Sequence, residues 1–256
     1  MRYLSLLFAS VLPLVASCKT AEALPSSPPA SGPGVAVVEL FSSEGCSSCP
    51  PADEVLSDLV RKGDGRVFPL AFHVDYWDDL GWADPFASAQ ATARQREYAA
   101  SFGTSSVFTP QMIVDGTEAF VGSDASHARD AITRALARAP STRLTVTAER
   151  ADAQSLRVHY RFDPAPKDGV LRLALVERGL VTRVPRGENA GRTLAHENVV
   201  RSFVTVPIHA AEGTAVLPVP SSVDRRRAEV IGYVQSAPRT EGRGVPITAA
   251  ARTPAP

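Results

Sequence analysis

An α/β domain followed by an antiparallel, sandwich-like β domain is the fold class that this 256-residue chain predicts. Three observations carry the prediction. Between residues 35 and 140, short apolar runs alternate with segments whose apolar residues recur at helical spacing. Beyond residue 143 the helical spacing fades, and several short runs alternate apolar with polar residues. Glycines, prolines and short polar clusters punctuate both stretches. The length suits one large domain or two small ones, and the change of pattern divides the chain into 35–140 and 141–252.

The chain opens with MRYLSLLFASVLPLVASC. The apolar run from Tyr3 to Ala16 follows the basic Arg2, is too short for a comfortable membrane span and contains Pro13, so it reads as an export signal. Val15-Ala16-Ser17-Cys18 is similar to a bacterial lipobox, which predicts residues 1–18 as a lipoprotein signal and Cys18 as the lipidated residue. An ordinary signal peptide cut near Ala23 is the alternative. Residues 19–34 are rich in proline, serine and glycine, cannot build a core, and read as a flexible tether. The expected location is therefore the periplasmic face of a bacterial membrane, or a periplasmic or secreted form.

The elements of the first domain follow in order. VAVVELF (35–41) has the continuous apolar character of a strand buried on both faces. Ala52, Val55, Leu56, Leu59 and Val60 fall on one helical face. VFPLAFHV (67–74) reads as a second buried strand. Asp84-Pro85 pairs an N-cap with a first-turn proline, predicting a helix from there to Phe102 with a stop at Gly103. QMIVDG and EAFVG flank Asp115-Gly116, a hairpin turn signal. Ser123 or Asp124 caps a last helix carrying Ala128, Ala131, Ile132, Ala135 and Leu136. Beyond it, RLTVTAE, SLRVHYRFD, VLRLALVE, VVRSFVTVPI, TAVLPVP and AEVIGYVQS read as antiparallel strands.

Charge excludes some functions. Lys+Arg and Asp+Glu both number 27, so nothing in the balance attracts nucleic acid. No Ser-His-Asp order, phosphate loop, paired zinc motif or dinucleotide glycine pattern is present. His127, His159 and His209 lack ligand-like spacing. There are three cysteines. If Cys18 carries lipid, Cys46 and Cys49 remain as one pair, which suits an oxidising compartment.

That pair is the main chemical signal. In FSSEGCSSCPPAD (41–53) the chain leaves a strand and enters a helix, so the cysteines meet unpaired N–H groups and the positive end of the helix dipole. Both favour a thiolate. Cys46 is expected to be exposed and to attack, and Cys49 to be shielded and to resolve. Pro50 and Pro51 suit a first turn. The N–H groups of Ser47, Ser48 and Cys49 are left to face the sulfur. Glu44 and Asp53 oppose them, and no lysine or arginine lies within six residues of Cys46, so the expected lowering of its pKa is modest. The alternatives are a structural disulfide, a weak staple for so short a loop, and a metal clip using Cys46, Cys49 and His73, whose sulfurs suit copper(I) or zinc.

Strand, CxxC, helix and then Thr109-Pro110 before a strand together resemble the thioredoxin fold over roughly residues 35–140. The resemblance implies that Cys46 attacks, that Cys49 resolves, and that Pro110 is a cis-proline facing the pair beside Thr109. Three segments, ELFSSEGCSSCPPAD, HVDYWDDLGWADPFAS and RGENAGRTLAHENVVRS, are similar to a bacterial family of exported thioredoxin-like proteins of unknown function. Gly45 departs from the tryptophan that many thioredoxins carry before the first cysteine. The segment DYWDDLGWADPFAS lengthens the path to Pro110 and reads as an insertion beside the dithiol. Within it Asp75, Tyr76, Trp77 and Trp82 are either a substrate wall or packed aromatics with capping acids. RGENAGRTLAHENVVR (186–201) is either a solvated connection or a hydrogen-bonded clasp onto the first domain.

The function expected is an envelope-anchored thiol–disulfide oxidoreductase acting on protein or small thiol substrates with a separate redox partner. It needs no bound organic cofactor. A copper metallochaperone and a non-catalytic binding module are the alternatives.

Overall fold

The computed structural model describes residues 33–237 and 242–256. The expected signal segment, Cys18 and most of the tether lie outside the described residues. β1 (Ala36–Ser42) and β2 (Val67–His73) are buried at every position, as continuous apolar runs require. α1 (Pro50–Lys62) lies between them, with Pro50 and Pro51 in its first turn, where missing N–H donors cost nothing. α2 (Ala89–Ser101) follows, then the hairpin of β3 (Gln111–Val114) and β4 (Glu118–Val121), then α3 (Ala125–Leu136). Asp115 and Gly116 both take positive φ in the turn, and Asp124 caps α3 by accepting from the His127 N–H.

Successive residues of β1 point to opposite faces. Val38 and Leu40 pack with Leu56 of α1 and with Ala131 and Ile132 of α3. Val37 and Phe41 pack with Phe72 and with Tyr98 of α2.

One element starts later than its sequence suggests. α2 begins at Ala89 and is capped by Ser88, whose side chain accepts from the Ala91 N–H, rather than by Asp84. Asp84 is drawn elsewhere: its carboxylate accepts from the backbone N–H groups of Glu44 and Phe86 and from His73.

The second half supplies β5 (Arg143–Arg150), β6 (Ser155–Asp163), β7 (Val170–Glu177), β8 (Leu180–Arg183), β9 (Thr193–His196), β10 (Val199–Pro207), β11 (Glu212–Pro218), β12 (Ala228–Gln235) and β13 (Ile247–Pro254). β7, β10, β12 and β13 extend the first-half sheet into one of eight strands, ordered β13-β12-β7-β10-β2-β1-β3-β4. The seam is a parallel bridge between Val199 of β10 and Ala71 of β2. β11-β6-β5 form a second sheet. Its Leu144, Val146, Leu156 and Val158 share a core with Leu171, Leu173, Leu175 and Val230 of the large sheet. The molecule is thus a mixed α/β structure built around one long sheet. Residue 140 marks where the helices end, not where the sheet ends. Among the described residues, no helix is long and apolar enough to cross a membrane.

Candidate functional site

The carboxyl ends of β1 and β2 and the start of α1 meet at one point, where Cys46 and Cys49 are joined in a disulfide with Cα atoms 5.4 Å apart. Cys49 is the N-cap of α1, and its carbonyl accepts from the Ala52 and Asp53 N–H groups. Ser47 and Ser48 are exposed, but neither cysteine has any exposed surface. This corrects the expectation that Cys46 would stand open to solvent.

The backbone of this loop is bonded to side chains from the other half of the chain. The Asn189 side-chain N–H₂ donates to the carbonyls of Glu44 (2.8 Å) and Cys46 (3.0 Å). The Ser47 N–H donates to the Glu188 carboxylate at 2.9 Å. Arg192 holds the Asn189 side-chain oxygen at 2.8 Å. Segment 186–201 is therefore a hydrogen-bonded clasp. The N–H groups expected to face the sulfur are also largely committed, since Ser47 serves Glu188 and Cys49 donates to the Cys46 carbonyl.

The segment 75–88 forms the side walls. The Trp77 indole N–H donates to Thr109 Oγ1 at 2.8 Å. A Cβ placed on Gly45 would lie 3.1 Å from Trp77 Cβ, so a larger residue before Cys46 would crowd this ring's stem and require it to shift by a few tenths of an ångström. The Thr109–Pro110 peptide is cis, and Pro110 is buried. The Trp82 indole donates to Glu44 Oε2 at 2.8 Å, and a Cβ on Gly187 would meet Trp82 Cβ at 3.1 Å. Tyr76 donates to Gln95, and Asp75 accepts from the Thr92 hydroxyl. Each of these four side chains is held internally and only half-buried.

Beneath the disulfide lies a buried polar cluster. Asp53 of α1 accepts from the Ser42 hydroxyl at 2.7 Å. The His73 Nδ1–H donates to Asp84 at 2.7 Å, and the His196 Nε2–H donates to Glu44 Oε1 at 3.0 Å. The two imidazoles meet edge to face with centroids 4.8 Å apart. Burial alone would lower the His73 pKa, but the Asp84 carboxylate beside it wins and raises it to about 9. Burial raises the Asp84 carboxyl and the charged His73 overcomes it, leaving about 2. Burial pushes Asp53 up, against the pull of His196 and His73.

Of the residues singled out from the sequence, Cys46 and Cys49 form the disulfide, Trp77 lies against Gly45 and bonds Thr109, and Trp82 bonds Glu44. Tyr76 and Asp75 turn toward α2, and His73 joins the cluster below. With both sulfurs bonded to each other, neither is a ligand beside His73 in this state. The roles of Glu44, Asp53, Asn189 and His196 as one connected group were not foreseen. The available signal was polar residues at strand ends, where a buried sheet otherwise runs apolar.

A family model described as a protein of unknown function (DUF1223) matches residues 37–235. A crystal structure of a structural-genomics target from Agrobacterium tumefaciens is similar at 28% identity and a TM-score of 0.65, covering 87% of this chain and 96% of that one. HBP35 of Porphyromonas gingivalis is similar at 13% identity and a TM-score of 0.62, over 87% of this chain and 75% of that one, a likeness of fold alone. No curated protein matches.

Proposed function

The chain belongs to the DUF1223 family of proteins of unknown function, and from its site we propose that it is a thiol–disulfide oxidoreductase working through Cys46 and Cys49. The observation that carries this reading is a CxxC disulfide at a strand-to-helix junction, formed where it closes too short a loop to be a useful staple. The β2-β1-β3-β4 part of the sheet, with α1 and α3 on one face and α2 on the other, supports reading residues 35–140 as a thioredoxin-like unit. The three-stranded sheet packed on the far end supports a sandwich-like second half that shares its large sheet with the first.

In the reducing direction, the Cys46 thiolate attacks one sulfur of a substrate disulfide. That S–S bond breaks, one substrate thiolate leaves, and Cys46 is joined to the other substrate sulfur. The Cys49 thiolate then attacks Cys46 Sγ, the Cys46–Cys49 bond forms and the second substrate thiolate leaves. The substrate gains two electrons and the protein loses two. Run backwards, the same steps oxidise a substrate dithiol. Electrons pass between dithiols, so no organic cofactor is required. The clasp over Cys46 must lift for a substrate sulfur to arrive in line, and Trp77, Thr109 and Pro110 then border the approach. Export as a lipoprotein anchored at Cys18 places this chemistry in an oxidising compartment, on protein or small thiol substrates with a separate redox partner.

The test is covalent trapping. A Cys49→Ala variant has lost the resolving thiol, so mixed disulfides should accumulate in envelope extracts and disappear under reductant or in Cys46→Ala,Cys49→Ala. Absence of adducts, together with no exchange between the reduced wild type and a model disulfide, would contradict the assignment.

A further inference from the structure

Between β2 and β10 the large sheet splits. The two strands pair only at Ala71 and Val199, although β10 runs on to Pro207. Beyond that bridge no strand pairs with β10 on the side of β2. The segment 85–91 approaches there instead, and the Gln90 side-chain N–H₂ donates to the Phe203 carbonyl at 2.8 Å. A partly open cleft of about 180 Å³ remains, lined by Phe72, Phe86 and Phe203 together with Pro85 and Pro220. Phe72 and Phe203 meet edge to face with centroids 5.3 Å apart. An apolar cavity of about 150 Å³ takes up a benzene molecule, so this volume suits one aromatic ring.

The cleft also carries a cation. The register of β10 against β7 shifts between Val200 and Ser202, which makes Arg201 the extra residue of a bulge. Arg201 lines the cleft. Its guanidinium lies over the Phe86 ring, 5.3 Å from the centroid, and donates to Glu177 and, at 2.9 Å, to Ser222 Oγ. Only 11% of this side chain is exposed, so water screens its charge poorly. Glu177 is shared with Arg227 at 3.4 Å, and Asp224 pairs with both Arg226 and Arg227. Three guanidiniums therefore face two carboxylates, and one positive charge is left over. Among the described residues, the Arg201 Nε–H and the Ser202 hydroxyl, on the same wall, have no hydrogen-bond partner.

We propose that this cleft binds a small aromatic carboxylate, with its ring among Phe72, Phe86 and Phe203 and its carboxylate on Arg201 and Ser202. Aromatic walls that already meet edge to face accept a further ring in the same manner. A planar guanidinium is the natural partner of a carboxylate, and a single surplus charge matches a monoanion. The site uses neither Cys46 nor Cys49, so it is separate from the thiol exchange proposed above. Phe86 also contacts the rings of His73 and His196, at 5.6 and 5.7 Å. An occupant of the cleft is thus one side chain removed from the cluster beneath the disulfide.

The experiment titrates the purified oxidised protein with sodium benzoate, against sodium chloride at equal ionic strength and against the neutral analogue benzamide. Benzoate should bind with a Kd at or below about 1 mM, within reach of so small a ligand. At about ten times Kd it should raise Tm by about 3 °C, because it binds only the folded state. Benzamide should bind at least tenfold more weakly. Arg201→Gln should weaken benzoate at least tenfold and leave benzamide unchanged. Ala87→Leu, which narrows the cleft without touching its charge, should weaken both. If Arg201→Gln does not fold, amide shifts in the wild type decide. Benzoate should move the signals of Ser88, Ser202 and Phe203 most. Equal affinity for benzoate and benzamide, an unchanged response in Ala87→Leu, shifts centred elsewhere, or no binding at about ten times the stated Kd would overturn the proposal. Thiol trapping succeeds or fails independently of these readouts.

Discussion

Asp115 shows how far one side chain's role depends on its surroundings. Its neighbour Gly116 made the turn legible from the sequence, since both central residues of such a hairpin need positive φ. Its second task was not legible: Oδ1 accepts from the Val37 N–H at 2.9 Å, a contact that exists only because β3 lies against β1. Burial raises this carboxyl to about 6, while the Val37 N–H and Arg138 pull the other way. The folded chain therefore holds the proton more tightly than the unfolded chain, and Asp115 makes stability fall as pH rises from 3.8 to about 6, then level off. Asp115→Asn keeps an acceptor and tolerates the turn. Urea denaturation at a series of pH values should find the variant more stable by about 1–2 kcal/mol at pH 7, with the slope between pH 4 and 6 reduced. Equal pH profiles for the two proteins would refute this.

Among elements, the junction of β2 and β10 carries the most consequence. Pro69 offers no N–H to a neighbouring strand, so the ladder between β2 and β10 lacks a donor there. Asn198 solves this: its side chain donates to the Pro69 carbonyl at 2.8 Å, its own carbonyl accepts from the Ala71 N–H, and its φ of 49° turns the chain into β10. Arg178 in turn donates to Asn198 Oδ1 at 2.9 Å. Asn198→Ala leaves the Pro69 carbonyl and Arg178 without this side chain and strains the backbone, and should cost about 2–4 kcal/mol in denaturant unfolding. Asn198→Gly relieves φ alone and should recover only part of the loss; full recovery would show that the hydrogen bonds contribute nothing. The strands and α3 were readable because their periodicity is local. The short β8 and β9 were not, and neither was β13, because ITAAARTP has little β-branched or aromatic character and is a strand through its pairing with β12. α2 began late because Asp84 had a stronger call from His73 and Glu44 than from a helix end.

At the scale of the molecule, the two halves are joined through a buried charge. Glu39 interrupts the apolar run of β1, and its carboxylate receives Arg94 of α2 at 3.1 and 3.2 Å, Tyr233 of β12 at 2.8 Å and the Tyr98 hydroxyl. Arg94 also reaches Gln235 at 2.9 Å. Arg94→Met leaves Glu39 buried without its cation and should cost about 3–5 kcal/mol, against about 1 kcal/mol for Tyr233→Phe. Thermal or urea unfolding ranks them, and a near-neutral Arg94→Met would mean that water reaches Glu39. The single glutamate in VAVVELF was the only hint of this network, because its partners come from residues 55 and 194 positions away. The dithiol was legible for the same reason in reverse: its residues are neighbours in sequence. The segment 186–201 was legible only as one of two alternatives, a clasp or a solvated connection; that Glu188 and Asn189 would reach Ser47, Glu44 and Cys46 was not, since they arrive from the other half. The direct test of the central claim is the rate at which a small thiol reduces Cys46–Cys49, followed by mass spectrometry under native conditions. The wild-type disulfide should open without global unfolding, and Asn189→Ala, lacking its two bonds of about 1 kcal/mol each to the Glu44 and Cys46 carbonyls, should be reduced at least about tenfold faster while its global stability falls by only about 2 kcal/mol. Reduction of each protein only at its own rate of global unfolding would mean that the bond is a structural one.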